Sequence, residues 1–282
     1  MRLGGQLFRK YDDPETWIRA LQEKGYRAAY APVGLDADDA LVNAYVRAAR
    51  QAGIVIAEVG AWSNPLSPSE ETRKAAIEKC QRSLDLADRL GARCAVNVSG
   101  SRGNDWAGHH PLNLTTETFD MIVQVTREII DAVKPRRSFY ALETMPWMYP
   151  DSPDSYVQLI EAINRPAFAV HMDPVNLVCS PQRYYANGAL IREFVDKLGP
   201  RIKSCHAKDI LLLDRLTTHL DEVRPGLGNL DYGVFLRELN KLDPTLPLML
   251  EHLPTEAEYD LAAAYVRQVA AKEGITLYGI LN

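Results

Sequence analysis

The stretch SFYALETMPWMYPDSPDSYVQLIEAINRPAFAVHMD, residues 138–173, holds one full period of the chain's architecture. SFYALET (138–144) and AFAVHMD (167–173) are short, apolar and rich in β-forming residues, with a carboxylate close to or at the end of each. The segment between them, 154–164, has apolar residues at helical spacing. Strand, helix and strand in that order make a βαβ unit, and such units place their strands in parallel.

Read outward in both directions, the same alternation fills the chain. Six more candidate strands are RLGGQLF (2–8), RAAYAPV (27–33), IVIAEVGA (54–61), CAVNVSG (94–100), RIKSCHAKD (201–209) and PLMLEHL (247–253), which brings the count to eight. Helical period occupies 14–24, 38–52, 69–90, 115–133, 184–198, 232–242 and 255–272. Asp13 before Pro14, and Ser69 after Pro68, carry the chemistry of helix starts. Eight βα units can close on themselves or open into a doubly wound sheet. No GxGxxG turn follows the first strand and no phosphate-loop signature occurs anywhere, so the nucleotide-binding signals of open sheets are missing. The expectation is a single (β/α)8 barrel over 1–282, with 64–68 and 145–153 as loops after strands.

Bulk properties bound the function. A chain of 282 residues that is 46% hydrophobic can bury one large core. A formal net charge of -5 offers no broad positive field, which argues against nucleic acid as a partner. Four cysteines without a CxxC pair fit a reducing compartment and buried thiols. With neither an apolar leader at the N-terminus nor an uncharged apolar run of roughly 18 residues, no membrane partner is expected and the localisation read is cytoplasmic.

Active sites of such barrels form at the C-terminal ends of the strands. Alternation by two puts Phe139, Ala141 and Glu143 on one face, and Ala167, Ala169, His171 and Asp173 on another such face. The corresponding sets in the seventh and eighth strands are Ile202, Ser204, His206 and Lys208, and Pro247, Met249 and Glu251. Glu143, Asp173, His206 and Glu251 thus converge on the barrel mouth. A strand-end acid is, taken alone, often only a helix cap. Three carboxylates crowded together would repel one another and pay for burial, whereas a divalent cation relieves both costs. Oxygen-rich donors with one imidazole suit one Mn²⁺ or Mg²⁺, with Co²⁺ and Zn²⁺ as weaker fits.

The segments ALETMPW (141–147), HMDPVN (171–176), SCHAKD (204–209), RPGLGNLDY (224–232) and LMLEHL (248–253) resemble those of the sugar isomerase/epimerase group in the xylose isomerase-like barrel superfamily. The chain resembles in particular the tagatose and psicose 3-epimerases, hydroxypyruvate isomerases and inosose dehydratases of that group, and the resemblance spans essentially the whole chain. It implies metal ligation by Glu143, Asp173, His206 and Glu251, with Glu143 and Glu251 also moving protons. Two departures stand out. Asn176 replaces the substrate-binding histidine typical of ketose 3-epimerases, and the loop MPWMYP (145–150) lacks a further glutamate. The implied reaction forms an enediolate from a small sugar or sugar phosphate, chelated through a carbonyl and its neighbouring hydroxyl. Returning the proton gives an epimer or an aldose–ketose isomer. Loss of a β-hydroxyl would instead make the protein a dehydratase. A non-catalytic sugar-binding barrel is the remaining alternative, since endonuclease IV relatives need more histidine ligands than this chain supplies.

Candidate substrate contacts are Lys208, Arg224, Asn176, His171, Glu58, Asn97, Trp106 and Trp147, with His109, His110 and Tyr149 in neighbouring loops. Relatives of this size pair through helices on the outer surface, so a homodimer or homotetramer is expected.

Overall fold

A computed structural model describes residues 1–277; positions 278–282 of the expected domain lie outside the described residues. In chain order the elements are β1 (Arg2–Gly4), α1 (Pro14–Glu23), β2 (Ala28–Tyr30), α2 (Asp39–Ala52), β3 (Val55–Gly60), α3 (Glu70–Leu90), β4 (Cys94–Asn97), α4 (Thr116–Val133), β5 (Tyr140–Glu143) and α5 (Pro153–Ile163). They continue with β6 (Phe168–Met172), α6 (Pro174–Leu177), α7 (Pro181–Tyr185), α8 (Asn187–Leu198), β7 (Ile202–Ala207), β8 (Asp209–Leu213), β9 (His219–Val223), α9 (Tyr232–Asn240), β10 (Pro247–Leu250) and α10 (Glu256–Lys272). Eight strands close into a parallel barrel in the order β1-β10-β7-β6-β5-β4-β3-β2. This is the (β/α)8 architecture expected from the alternation.

Local chemistry starts the helices where the sequence suggests. The Asp13 side chain accepts the Thr16 N–H, Thr16 reciprocates at the Asp13 N–H, and Pro14 opens α1. Ser69 caps α3 and Thr115 caps α4 by accepting the N–H three residues on. Between barrel and helices lies the main core, where Tyr140, Leu142, Phe168, Val170, Leu248 and Leu250 meet the helices' apolar faces. Inside the barrel, small clusters such as Ala28, Ala57 and Met249, or Cys94, Val96 and Ala141, fill the narrow bore. Cys80, Cys94 and Cys205 are buried free thiols, and Cys179 is exposed.

Three details depart from the expected layout. Ile202 does not share the inner face with Ser204: opposite it the register slips between Val170 and His171, so β7 carries an extra residue, and Ile202 joins the outer core. The helix expected over 184–198 is broken into α7 and α8, with Asn187 Nδ2 donating to the Tyr184 and Asn229 carbonyls across the break. The long loop after the seventh strand contains an antiparallel hairpin, β8 with β9, that pairs with no barrel strand. Its base is held by Asp209, whose carboxylate accepts the N–H groups of Ile210, Gly226, Gly228 and Leu230. Only glycine fits at 228, because a Cβ there would stand 2.4 Å from Asp209 Oδ1.

Candidate metal centre

Strands β10, β7, β6 and β5 are consecutive around the barrel, and their C-terminal ends bring four side chains to one point. Ligand atoms from Glu143, Asp173, His206 and Glu251 all lie within 4.8 Å of one another. Several uncharged groups fix this convergence. Tyr156 on α5 sends its hydroxyl between β5 and β6, accepting the N–H groups of Leu142 (3.3 Å) and His171 (3.2 Å) and donating to the Leu142 carbonyl at 2.6 Å. Thr144 Oγ1 donates to the Asp173 carbonyl at 2.8 Å and accepts the Asp173 N–H at 3.2 Å. Strand ends that would otherwise fray are thereby locked side by side.

Asp173 divides its two oxygens between two tasks. Oδ1 caps α6 by accepting the N–H groups of Val175 (3.0 Å) and Asn176 (3.3 Å), while Oδ2 faces the cluster. The capping role and the cluster role therefore coexist in one side chain. His206 is equally divided: Nδ1 lies 2.9 Å from Glu251 Oε2 and 3.1 Å from Glu143 Oε1, and Nε2 lies 3.3 Å from Glu58 Oε2. Lys208 sits 2.9 Å from both Asp173 Oδ2 and Glu251 Oε2 and is only 2% exposed.

Burial drives the Glu143 pKa up, against the pull of His206 and Lys208. The same burial acts on Asp173, yet Lys208 and His206 outweigh it and hold that carboxyl below its usual range. Glu251 is lowered to about 2 because His206, and then Lys208, overcome its desolvation. His206 is raised well above the ordinary histidine range, since Glu251, Glu58 and Glu143 prevail over burial. One lysine and one imidazole do not satisfy this much negative charge. Asp173 Oδ2 and Glu251 Oε2 are buried and accept no well-directed hydrogen bond, although Lys208 is near both. Buried oxygens left without a directed donor, beside an imidazole nitrogen, are what a divalent cation fits.

Below the cluster, Glu58 Oε1 lies 3.0 Å from His171 Nε2 and also takes the Ser204 hydroxyl, while its Oε2 faces His206. The two histidines hold the Glu58 carboxyl below its usual range despite full burial. Above the cluster opens a cavity of about 340 Å³ lined by Trp62, Trp106, Trp147, Met145 and Asn176 as well as Glu143, Lys208 and Glu251. That volume suits a small molecule. A smaller cavity of about 250 Å³ adjoins it beyond Glu251, reaching Tyr30 and Gln6. A larger hollow of about 790 Å³ lies against Arg93, Arg137 and Thr245, and contains none of these groups.

Among the residues singled out from sequence, Asn176 reaches the cluster with Nδ2 3.2 Å from Glu143 Oε1. Trp106 and Trp147 line the cavity, whereas Glu58 and His171 lie beneath it. Two others are placed elsewhere. Asn97 is spent on the loop after β3, accepting the Ser63 N–H at 3.1 Å and donating to the Ser63 carbonyl and Cys80 Sγ. Arg224 pairs with Glu258 at 2.8 Å on α10 and does not line the cavity. The His110 ring accepts the Leu112 N–H within its loop, and the Tyr149 hydroxyl donates to the Leu114 carbonyl. Trp62, Glu222 and His252 also line the cavity and were not singled out from sequence. HLDEV (219–223), with Asp221 and Glu222 side by side, breaks strict alternation, so no local signal marked the strand carrying Glu222.

Comparison with known proteins places this geometry in context. No curated protein sequence matches the chain. The D-psicose 3-epimerase of Clostridium cellulolyticum H10, solved with D-tagatose, superposes with a TM-score of 0.69 at 14% identity, covering 98% of this chain and 100% of that one. A probable 3-DHS dehydratase involved in petrobactin synthesis in Bacillus anthracis gives 0.68 at 15% identity, with 95% and 98% covered. A xylose isomerase-like TIM barrel protein from Mycobacterium smegmatis, in complex with magnesium, gives 0.65 at 17%, with 93% and 90% covered. Identities this low establish the fold alone. The family model described as xylose isomerase-like TIM barrel matches residues 18–269, and the chain belongs to that family.

Proposed function

We propose that the protein is a divalent-metal-dependent sugar isomerase or epimerase, moving a proton on a carbon next to a carbonyl through an enediolate of the substrate. Glu143, Asp173, His206 and Glu251 would hold the ion, with Mn²⁺ the first choice and Mg²⁺, Co²⁺ and Zn²⁺ the alternates. The observation that carries the proposal is the meeting of these four donors within 4.8 Å, with two buried carboxylate oxygens lacking a directed donor. A bound divalent ion supplies Lewis-acid polarisation of the substrate's carbonyl and neighbouring hydroxyl.

The rest falls to the chain's own groups. Glu143 and Glu251 come from the two ends of the arc of strands, with β6 and β7 between them. One removes the proton and the other, reaching the carbon from a different side, returns one. Asn176 orients the Glu143 carboxylate through its 3.2 Å hydrogen bond. The tryptophans over the cluster keep bulk water from the carbanion. The partner in this reading is a small sugar-derived carbonyl compound.

Elimination is the second reading, favoured by Lys208. Its ammonium lies in the cavity wall within 3.8 Å of Glu143 and 2.9 Å of Glu251, placed to protonate a departing hydroxyl, and a dehydratase is among the similar structures.

Ketoses, their phosphates and inososes, incubated with Mn²⁺ in deuterated water and followed by NMR, test both. Deuterium entering the carbon next to the carbonyl without elimination supports the isomerase, and Glu143→Gln or Glu251→Gln should slow it by about 10²–10⁴-fold. An enol product supports the lyase. Absence of exchange from every substrate class, with Mn²⁺ demonstrably bound, rejects the proposal.

A further inference from the structure

Three indoles wall the cavity above the cluster. Trp62 follows β3, Trp106 lies in the loop between β4 and α4, and Trp147 in the loop between β5 and α5. The rings of Trp62 and Trp106 stand 6.3 Å apart, tilted by 57°. Trp147 Nε1 donates to the Ala107 carbonyl at 2.8 Å, tying its loop to the one that bears Trp106. Gly60 makes room for the third ring, since a Cβ there would stand 2.5 Å from Trp62 Nε1. Trp106 and Trp147 remain 42% and 41% exposed. Large rings held open at a cavity mouth, not packed away in the core, offer flat apolar faces to a ligand.

The charges of the same cavity point the same way. Lys208 is the only lysine or arginine in its wall among the described residues, and it is already committed to Asp173, Glu251 and, at 3.5 Å, Glu222. One divalent ion together with Lys208 just balances Glu143, Asp173 and Glu251, which leaves Glu222 as the remaining carboxylate of the wall. His252 Nδ1 answers Glu222 at 3.2 Å, and Arg224 is taken by Glu258. A phosphate dianion needs uncommitted arginine or lysine donors, and this wall offers none among the described residues.

We propose that the substrate is an uncharged sugar ring whose C–H face lies on the Trp62, Trp106 and Trp147 wall, and is not a sugar phosphate. This specifies the substrate class of the site proposed above and rests on that reading.

Tryptophan fluorescence titrations with methyl β-D-glucoside, D-glucose 6-phosphate and inorganic phosphate, with and without Mn²⁺, test it. The glucoside should give a saturable change at least tenfold tighter than glucose 6-phosphate. Trp106→Ala and Trp147→Ala should each weaken it about tenfold while circular dichroism stays native, and Trp147→Phe should retain most of the binding. Equal or tighter binding of glucose 6-phosphate or inorganic phosphate overturns the proposal, as does unchanged glucoside binding in both alanine variants or no saturable response to the glucoside. Mn²⁺ binding, read separately by electron paramagnetic resonance, keeps the two readings apart. Failure of Mn²⁺ to bind with glucoside preference intact removes the metal-dependent reaction and leaves the ring preference standing.

Discussion

Lys208 Nζ lies 2.9 Å from Asp173 Oδ2, and both side chains are sealed from solvent. Without a bound cation, this ammonium shares with His206 the balancing of three carboxylates, and it is the larger influence on Asp173. Lys208→Met should therefore cost about 3–5 kcal/mol in a chelator-treated protein, because it strands buried negative charge. At roughly 2–4 °C per kcal/mol for a chain of this size, the melting temperature should fall by about 10 °C. Saturating Mn²⁺ should recover a larger part of that loss than it adds to the parent protein. Equal gains from Mn²⁺ in both proteins would show that the lysine and the ion do not balance the same charges.

Glu58→Gln keeps the shape of a buried side chain and removes the charge facing His171 and His206. A carboxylate behind a ligating imidazole fixes its ring and raises its basicity, and losing such a partner costs about 10–100-fold in metal affinity or activity. Isothermal titration with Mn²⁺ should show that loss in a protein whose circular dichroism is unchanged. Full affinity in the variant would mean that the pair only fills the barrel bore.

Tyr156→Phe leaves the core volume almost intact but deprives two buried N–H groups, those of Leu142 and His171, of their acceptor. The expected destabilisation is about 1–3 kcal/mol, measured by urea denaturation. Because the same hydroxyl locks β5 beside β6, proton exchange into substrate should slow more than Mn²⁺ binding weakens.

At the opposite end of the barrel, Asp243 meets the Arg93 guanidinium at 2.7 Å and accepts the Thr245 N–H at 2.8 Å. Burial alone would raise its pKa, but the Thr245 and Arg93 contacts hold it below the ordinary 3.8. A carboxyl whose folded pKa is depressed stabilises the protein fully above its unfolded value, and that stabilisation disappears as pH falls through the folded pKa. Asp243→Asn should thus lower stability at pH 7 by up to about 1 kcal/mol after solvent screening. The gap between variant and parent melting temperatures should close below about pH 4. A gap independent of pH would show that the contacts act through shape alone.

Much of the site was legible because parallel barrel strands are buried on both faces. A polar residue at such a strand's end stands out against the apolar run before it, and alternation by two then assigns its side, as for Glu143, Asp173, His206 and Glu251. Alternation fails where the backbone adds a residue, and Ile202 lost its expected face for that reason. Loop residues were harder still. Asn97 and Arg224 had the right chemistry for a substrate, yet Ser63 and Glu258 claimed them through contacts across 34 residues of chain in both cases. Trp62, Glu222 and His252 reach the cavity only through the paths of loops and of the β8–β9 hairpin, which no local pattern states. The cap reading and the cluster reading of Asp173 looked like alternatives, although a carboxylate has two oxygens, of which Oδ1 caps α6 while Oδ2 faces the other cluster groups.

The β8–β9 hairpin contributes Glu222 while sharing no ladder with the barrel, and Asp209 grips the chain on both sides of it. Residues 210–223 thus form a cassette clipped onto a closed scaffold. Lengthening, shortening or grafting it would retune what the mouth admits without reopening the barrel, and laboratory evolution of new selectivity has its most tolerant starting point there.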